Sequence, residues 1–288
     1  MSEASAGTEA LGIDVGGTKI ACLRVDSTGH VSAREVAQTP ATDPDATIAA
    51  VISLAARLRT PATGCMGLGV AGMVDPDAGI LRYAPNLAWR ELPIADRVGS
   101  ALGLPCGLDN DANVAAWGEF RCGAGRGFHD MLLVTVGTGI GAGMVVDGRL
   151  FRGAHGLGGE VGHVIVDPDG PICGCGNHGC WEQVASGRAI ERSGRAAIAE
   201  HPQSLMAQMV GGDASKLTGP MVTEAAERDD DVARGILAEV GRRLGEGIAG
   251  LVNVLDPEAV VVGGGAVAAN EMLLAPARAA FVECLEAP

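Results

Sequence analysis

From residue 11 the chain reads LGIDVGGTKIACLRVD, two apolar-rich runs parted by a glycine pair, which predicts strand, turn and strand over 11–26. STGH (27–30) reads as a turn and VSAREVAQT as a third strand. DPDATIAAVISLAARLR (43–59) switches to helical spacing. Its acids stand at the start and its arginine at the end, where each charge suits the helix dipole. CMGLGVAG (65–72) reads as a buried strand ending in glycine, and PIADRVGSALG (93–103) as a short amphipathic helix. PCGLDNDANVAAWGEFR (105–121) predicts a strand followed by a helix, with Asn110, Asp111 and Asn113 at the junction.

MLLVTVGTGIGAGMVVDGRLF (131–151) repeats the opening pattern and adds an Asp-Gly hairpin turn. A long helical pattern covers 231–255, then a strand, AVVVGGG (259–265), and another helix. Strands and helices alternate, so the class is α/β. Because the glycine hairpin recurs near residue 131, the pattern suggests two related lobes. The expected division is an N-terminal lobe over 1–113 and a C-terminal lobe over 114–288.

Of the 288 residues 47% are hydrophobic and 19% charged, enough apolar surface for real cores. Aromatics are only 3%, so those cores must be built from Val, Leu, Ile and Ala. The formal net charge of −14 repels a phosphate backbone and argues against nucleic-acid binding. It leaves room for a local anion site made of backbone N–H groups. MSEASAGTEA lacks the basic start and apolar run of a signal peptide, and no apolar run is long enough to span a membrane. The expectation is a cytoplasmic chain. Cys22, Cys65, Cys106, Cys122 and Cys284 stand alone, as free thiols do in a reducing compartment.

DVGGTK (14–19) combines Asp14, Gly16, Gly17 and Thr18. It reads either as a plain hairpin turn or as a cradle for a phosphate, with the carboxylate holding a metal ion through water. GTGIG (137–141) repeats the chemistry, and GGG (263–265) adds a third glycine cluster after a strand. None is a Walker A loop. Gly137/Gly139/Ala142 and Gly263/Gly265/Ala268 match a dinucleotide fingerprint in spacing. The first leads into a strand and the second lacks the following strand and acid, so a nicotinamide enzyme stays only as an alternative. Asp111 reads either as a helix cap or as a general base toward an alcohol.

GEVGHVIVDPDGPICGCGNHGCWE (159–182) holds Cys173, Cys175 and Cys180 with two histidines. Three thiolates and one imidazole make the donor set of a closed, structural zinc site. His163 and His178 are rivals for the fourth position. Glu160 and Glu182 flank the cluster and read either as solvated acids beside a metal loop or, held rigidly by a metal clamp, as acceptors for sugar hydroxyls.

Together these residues resemble the ROK family (repressors, open reading frames, kinases), and within it the zinc-containing bacterial glucokinases. The carriers are DVGGTK, APNLAW (84–89), NDANVAAWGE (110–119), VGTGIGAG (136–143), GGEVGH (158–163), CGCGNHGCWE (173–182) and the late GGG. The resemblance implies an actin-like, ribonuclease H-like sugar-kinase fold of two lobes with a cleft between them. It implies transfer of the ATP γ-phosphoryl group, with Mg²⁺, to the 6-hydroxyl of glucose. By resemblance Asp111 is the general base, and Gly72, Asn86, Asn110, Glu160, His163 and Glu182 contact the sugar. Asp14, Gly16, Gly17, Thr18 and Lys19 form the first phosphate segment, and Thr138 and Gly139 the second. Gly264 and Gly265 make the adenosine-side turn. The zinc ligands are then His163, Cys173, Cys175 and Cys180. Family members are commonly homodimers or homotetramers.

The chain departs from the family pattern at Ala71, where proline usually stands, and at His178, where arginine is common. The sequence stops at Pro288, where relatives usually continue with another strand and a helix that returns to the first lobe, so that return is not expected here. Other readings are a kinase for N-acetylglucosamine, N-acetylmannosamine or fructose, and an inactive, zinc-stabilised sugar-binding protein.

Overall fold

The computed structural model describes residues 8–84 and 89–286. The chain forms two compact units. One is Met1–Gly127 with Gly143–Val145 and Arg149–Gly158; the other is Phe128–Ala142 with Val146–Gly148 and Gly159–Pro288.

In the first unit β1 (Glu9–Val15), β2 (Lys19–Asp26) and β3 (Val31–Gln38) form an antiparallel meander. Helix α1 (Pro44–Leu58) carries the chain to β4 (Thr63–Val70), which lies parallel to β1. Asp43 caps α1 by accepting the Ala46 N–H, and Pro44 stands in the first turn, where its missing N–H costs nothing. Ile48, Val51, Leu54, Ala55 and Leu58 share one buried face of α1 and pack into the core with Leu11, Ile13 and Leu68. Each such side chain contributes about 1.5–3 kcal/mol when fully buried.

A small antiparallel sheet follows, β5 (Met73–Asp75), β6 (Ile80–Ala84) and β7 (Trp89–Leu92), which the periodicity did not foretell. Helix α2 (Ile94–Leu102), strand β8 (Cys106–Asn110) and helix α3 (Asp111–Cys122) complete the pass, giving the sheet order β3-β2-β1-β4-β8. Helix α3 stays whole within the first unit. Gly69 of β4 faces this helix, and a Cβ there would meet Val114 at 3.5 Å and the Asp111 Cα at 3.6 Å, ordinary packing distances.

The second sheet contains β9 (Met131–Val136), β10 (Ile140–Val146), β11 (Arg149–Phe151) and β12 (Ala259–Gly263), in the order β11-β10-β9-β12. The first four strands of the other sheet have the same order, with the last again parallel to the first. The repeat read from the glycine hairpins is therefore a repeat of topology. Asp147 and Gly148 both have positive φ, as the tight hairpin between β10 and β11 requires. Between these strands lie α4 (Trp181–Ala185), α5 (Gly187–Glu200), α6 (Leu205–Met209), α7 (Gly219–Glu227) and the long α8 (Asp231–Leu255), and α9 (Glu271–Cys284) ends the chain. Among the described residues no helix is long and apolar enough to cross a membrane.

Helices α8 and α9 touch backbone to backbone, because Gly241 and Gly245 of α8 present no side chain to α9. A Cβ on Gly245 would fall onto the Ala277 carbonyl and 3.0 Å from its Cα. Gly245→Ala gains about 1 kcal/mol in helix propensity. Overpacking against rigid backbone costs about 1–3 kcal/mol or more, so the clash wins. Urea unfolding should show a lower midpoint for Gly245→Ala; a higher midpoint would mean the helices part without cost.

Candidate active site

One cluster of candidate residues stands at the end of β8 and the start of α3. Asn110 is extended, and its Oδ1 accepts the N–H groups of Ala112 at 2.9 Å and Asn113 at 3.3 Å. Asn110 is therefore the helix cap, and Asp111 is released from that role. The Asp111 carboxylate accepts the adjacent Ala112 N–H at 3.0 Å. The other end of the Asn110 amide donates to the Gly72 carbonyl at 3.2 Å. Gly72 is required by space: a Cβ there would stand 2.5 Å from the Tyr83 oxygen and 3.1 Å from Ala84.

Water reaches the Asp111 side chain, yet the surrounding chain desolvates it. Desolvation pushes its carboxyl above the ordinary range, against the hydrogen bonds from Ala112 and Asn110 that lower it. Asp14, near the end of β1, is raised by burial first and by the negative charge of Asp111 second, with Lys19 opposing. Two carboxylates that feel each other in this way favour a cation or a shared proton. The Asp14–Lys19 turn is closed by Gly16 N–H to Lys19 O at 3.0 Å. Thr39 braces it by donating its hydroxyl to Gly16 O at 2.7 Å and its N–H to Thr18 O at 2.9 Å.

Asp109, immediately before the cap, went unnoticed in the sequence. It is 7% exposed and fully partnered. One oxygen accepts the Asn110 N–H at 2.8 Å and Asn113 Nδ2 at 3.0 Å. The other takes Arg152 Nε at 2.8 Å and Nη2 at 2.6 Å. The LDND run marked the acid, but nothing local marked an arginine 43 residues away.

A separate cluster lies in the other unit. His163, Cys173, Cys175 and Cys180 place their donor atoms within 4.8 Å of one another. His163 Nδ1 lies 3.6 Å from Cys173 Sγ, and Cys175 Sγ lies 3.6 Å from Cys180 Sγ. A tetrahedral zinc with Zn–S bonds of about 2.3 Å has an S···S edge of about 3.8 Å, so the spacing and soft donor set fit that ion. His178 instead places its Nδ1 3.2 Å from the Gly170 carbonyl, outside the converging four. Burial pushes the Cys173 thiol up and the Cys180 thiol up to about 12, while a hydrogen bond from the Asn177 backbone lowers Cys175. A dication in the cluster would deprotonate all three.

The zinc-type loop holds the two acids. His163 turns Nε2 to within 3.8 Å of Glu160, and Glu182 accepts from Cys173 Sγ at 3.1 Å and Gln183 Nε2 at 3.3 Å. Glu182 lies in the first turn of α4, immediately after two buried residues, Cys180 and Trp181. The Trp181 indole donates to Arg243 O at 2.9 Å and lies over Gly247 of α8, which anchors α4. Arg192 holds Gln183 by its carbonyl and amide oxygens. Sequence reading missed Trp181, Gln183 and Arg192 as supports.

Gly137 and Thr138 line a pocket of about 520 Å³ with Arg188, Glu191, Thr223 and Gly265. Their turn is tied to the start of α5 by Gly187 N–H to Gly137 O at 2.8 Å and Arg188 N–H to Thr138 O at 3.3 Å. Gly139 faces the other way, and its missing Cβ is the space taken by the Glu182 carboxylate. Gly264 has φ +98°, and a Cβ there would strike the backbone of Val136 at 2.5 Å. Thus the structure gathers Gly72, Asn110 and Asp111 in one cluster. It gathers Glu160, His163 and Glu182 with the cysteines in a second, and Thr138 with Gly265 at one pocket. Asn86 lies outside the described residues.

Residues 10–287 match the ROK family. A glucokinase of Streptomyces coelicolor is 37% identical over 274 residues, which cover 94% of this chain and 86% of that protein. A glucokinase of Halalkalibacterium halodurans is 38% identical over 283 residues, covering 94% of this chain and 84% of its own length. A crystal structure of a ROK family glucokinase from Streptomyces griseus, in complex with glucose and AMPPNP, superposes with a TM-score of 0.86 at 38% identity. The match covers 97% of this chain and 90% of that one.

Proposed function

The chain belongs to the ROK family, with its actin-like α/β fold, and on that premise we propose that it is an ATP-dependent glucokinase. Asp111 accepts the proton of the glucose 6-hydroxyl as that oxygen attacks the γ-phosphorus; the bond to the departing ADP breaks, and glucose 6-phosphate forms. The residues assigned to glucose are Gly72, Asn86, Asn110, Glu160, His163 and Glu182. Asp14, Gly16, Gly17, Thr18 and Lys19 with Thr138 and Gly139 receive the phosphates, and Gly264 and Gly265 bound the adenosine end. Mg²⁺ would supply charge neutralisation, and Asp14 is the residue that would hold it. A zinc held by His163, Cys173, Cys175 and Cys180 would be structural, since four protein ligands leave no open position for a reacting water.

The observation that carries the base assignment is the division of labour at 110–111. Asn110 caps the helix, so Asp111 keeps a free carboxylate with solvent access and raised basicity. The test is ADP release from ATP and Mg²⁺ with glucose, mannose, fructose and the N-acetyl hexosamines. Glucose-dependent release is the expected result; release with an N-acetyl sugar and none with glucose would move the substrate, and none with any sugar would sink the kinase reading.

Two further outcomes are expected. Asp111 must be ionised to act, and burial holds its carboxyl above the ordinary value. The kcat/KM for glucose should therefore fall about tenfold per unit of acidification below its pKa, with an inflection above the usual aspartate value of about 3.9. An acid limb at or below that value would contradict the assignment. Gly139→Ala should push the Glu182 carboxylate from its place. Glucose affinity, read by calorimetry, should drop on the order of tenfold or more, because one misplaced charged hydrogen bond is worth about 1.5–3 kcal/mol. Unchanged affinity would free Glu182 from the sugar role.

A further inference from the structure

The chain leaves the first unit at Gly127 and comes back to it with Gly143–Val145 and again with Arg149–Gly158. Arg152 is the residue that the returning segment gives to Asp109. From the two atoms of Arg152 on one carboxylate oxygen, and from the two amides on the other, we infer that the Asp109–Arg152 pair is the positioning device for the base. This rests on the kinase reading for the base's identity, though not for the geometry.

Asp109 is the last residue before the pair that does the work, Asn110 and Asp111. Its first oxygen grips the chain on both sides of Asp111: the Asn110 N–H before it and the Asn113 side chain after it. Those two bonds set the angle at which β8 turns into α3, and the angle sets where the Asp111 carboxylate points. The grip also fixes the Asn113 amide. Turning that amide over would bring its oxygen against the Asp109 oxygen, two acceptors face to face. Asn113 is held in the present sense although its buried Oδ1 has no donor among the described residues.

A buried carboxylate oxygen left without a partner is costly. Arg152 partners the oxygen that the amides do not use. Without the guanidinium that oxygen is left unpartnered and is drawn toward water or toward the amides. Either change weakens its hold on Asn110 and Asn113. The bonds of the Asp109–Arg152 pair go neither to the proposed base carboxylate nor to a zinc donor, so its action on turnover passes through geometry.

The test uses the full chain with Arg152→Gln, and with Arg152→Lys, which keeps the charge. Glucose binding is measured by calorimetry, kcat by ADP release, and backbone hydrogen exchange over 109–113 by mass spectrometry. The expected result for Arg152→Gln is an unchanged number of glucose sites per chain, little change in KM, a kcat reduced roughly 100-fold, and faster exchange at Asn110 and Asn113. Arg152→Lys should recover part of the kcat. If kcat and the number of binding-competent sites fall in the same proportion, the pair merely supports folding and the inference is overturned; a wild-type kcat in Arg152→Gln overturns it too. If the wild-type chain turns over no sugar, the kinase reading has failed. Exchange then decides the pair alone: unaltered rates at 110–113 in Arg152→Gln overturn it, and faster rates support it.

Discussion

Asp111→Ala should lower kcat for glucose by at least 1,000-fold while leaving glucose affinity within a few fold. Removal of a general base costs about 10²–10⁴ in rate. Here the loss should fall toward the large end, because Asn110 is engaged in capping and in the bond to Gly72, and the other carboxylate of α3, Glu119, stands about two turns on and accepts the Ala124 N–H. The sugar contacts assigned to Asn110, Glu160, His163 and Glu182 are untouched, so binding should persist. The measurement is kcat by ADP release beside glucose titration calorimetry. Turnover near that of the wild type would remove Asp111 from the mechanism.

A stability measurement tests the same residue from the other side. The folded protein raises the Asp111 carboxyl. Its protonated form is therefore favoured by folding, a contribution present below the unfolded pKa and lost as pH rises through the folded pKa. At neutral pH the ionised carboxylate works against the fold. Asp111→Asn should thus raise the melting temperature at pH 7, and the gain should shrink as the pH is lowered toward the carboxyl range. A dead but more stable variant separates a catalytic role from a structural one; a variant that is dead and less stable at pH 7 would not.

The second large effect is expected at Cys175. Elemental analysis should find about one zinc per wild-type chain and almost none in Cys175→Ala. Three remaining donors leave the site open, and structural zinc sites supply on the order of 10 kcal/mol of apparent binding free energy. Loss of the ion frees His163 and both flanking thiols, and with them the segment that carries Glu160 and Glu182. Glucose affinity should fall at least tenfold and the melting temperature should drop. Cys65→Ala, at a lone exposed thiol on β4, should change neither zinc content nor affinity. Full zinc occupancy in Cys175→Ala would refute the ligand set.

Much was determined by the sequence alone because the governing signals are local. Alternation marked β1 to β4, and 3.6-residue spacing marked α1 and α8. Asp-Gly marked the hairpin at 147–148, and two copies of one glycine hairpin announced two sheets that prove to share a strand order. The cysteine spacing announced a metal cluster for the same reason, since a short loop can only fold its thiols together. Other features depended on contacts between distant segments, and only the tertiary structure decided them. Asn110 rather than Asp111 caps α3, because the strand geometry at 110 aims its amide at two N–H groups. His163 rather than His178 joins the thiols, because a bridge between Ile165 and Cys180 folds residue 163 back over the loop while His178 turns to Gly170. Glycine at 139 is read in one dimension as a turn, and in three as the space that Glu182 occupies. Arg152 meets Asp109 only after a whole β-hairpin has intervened. Periodicity reports which face of an element is apolar, but the partner of a buried charge is chosen by the path of the chain.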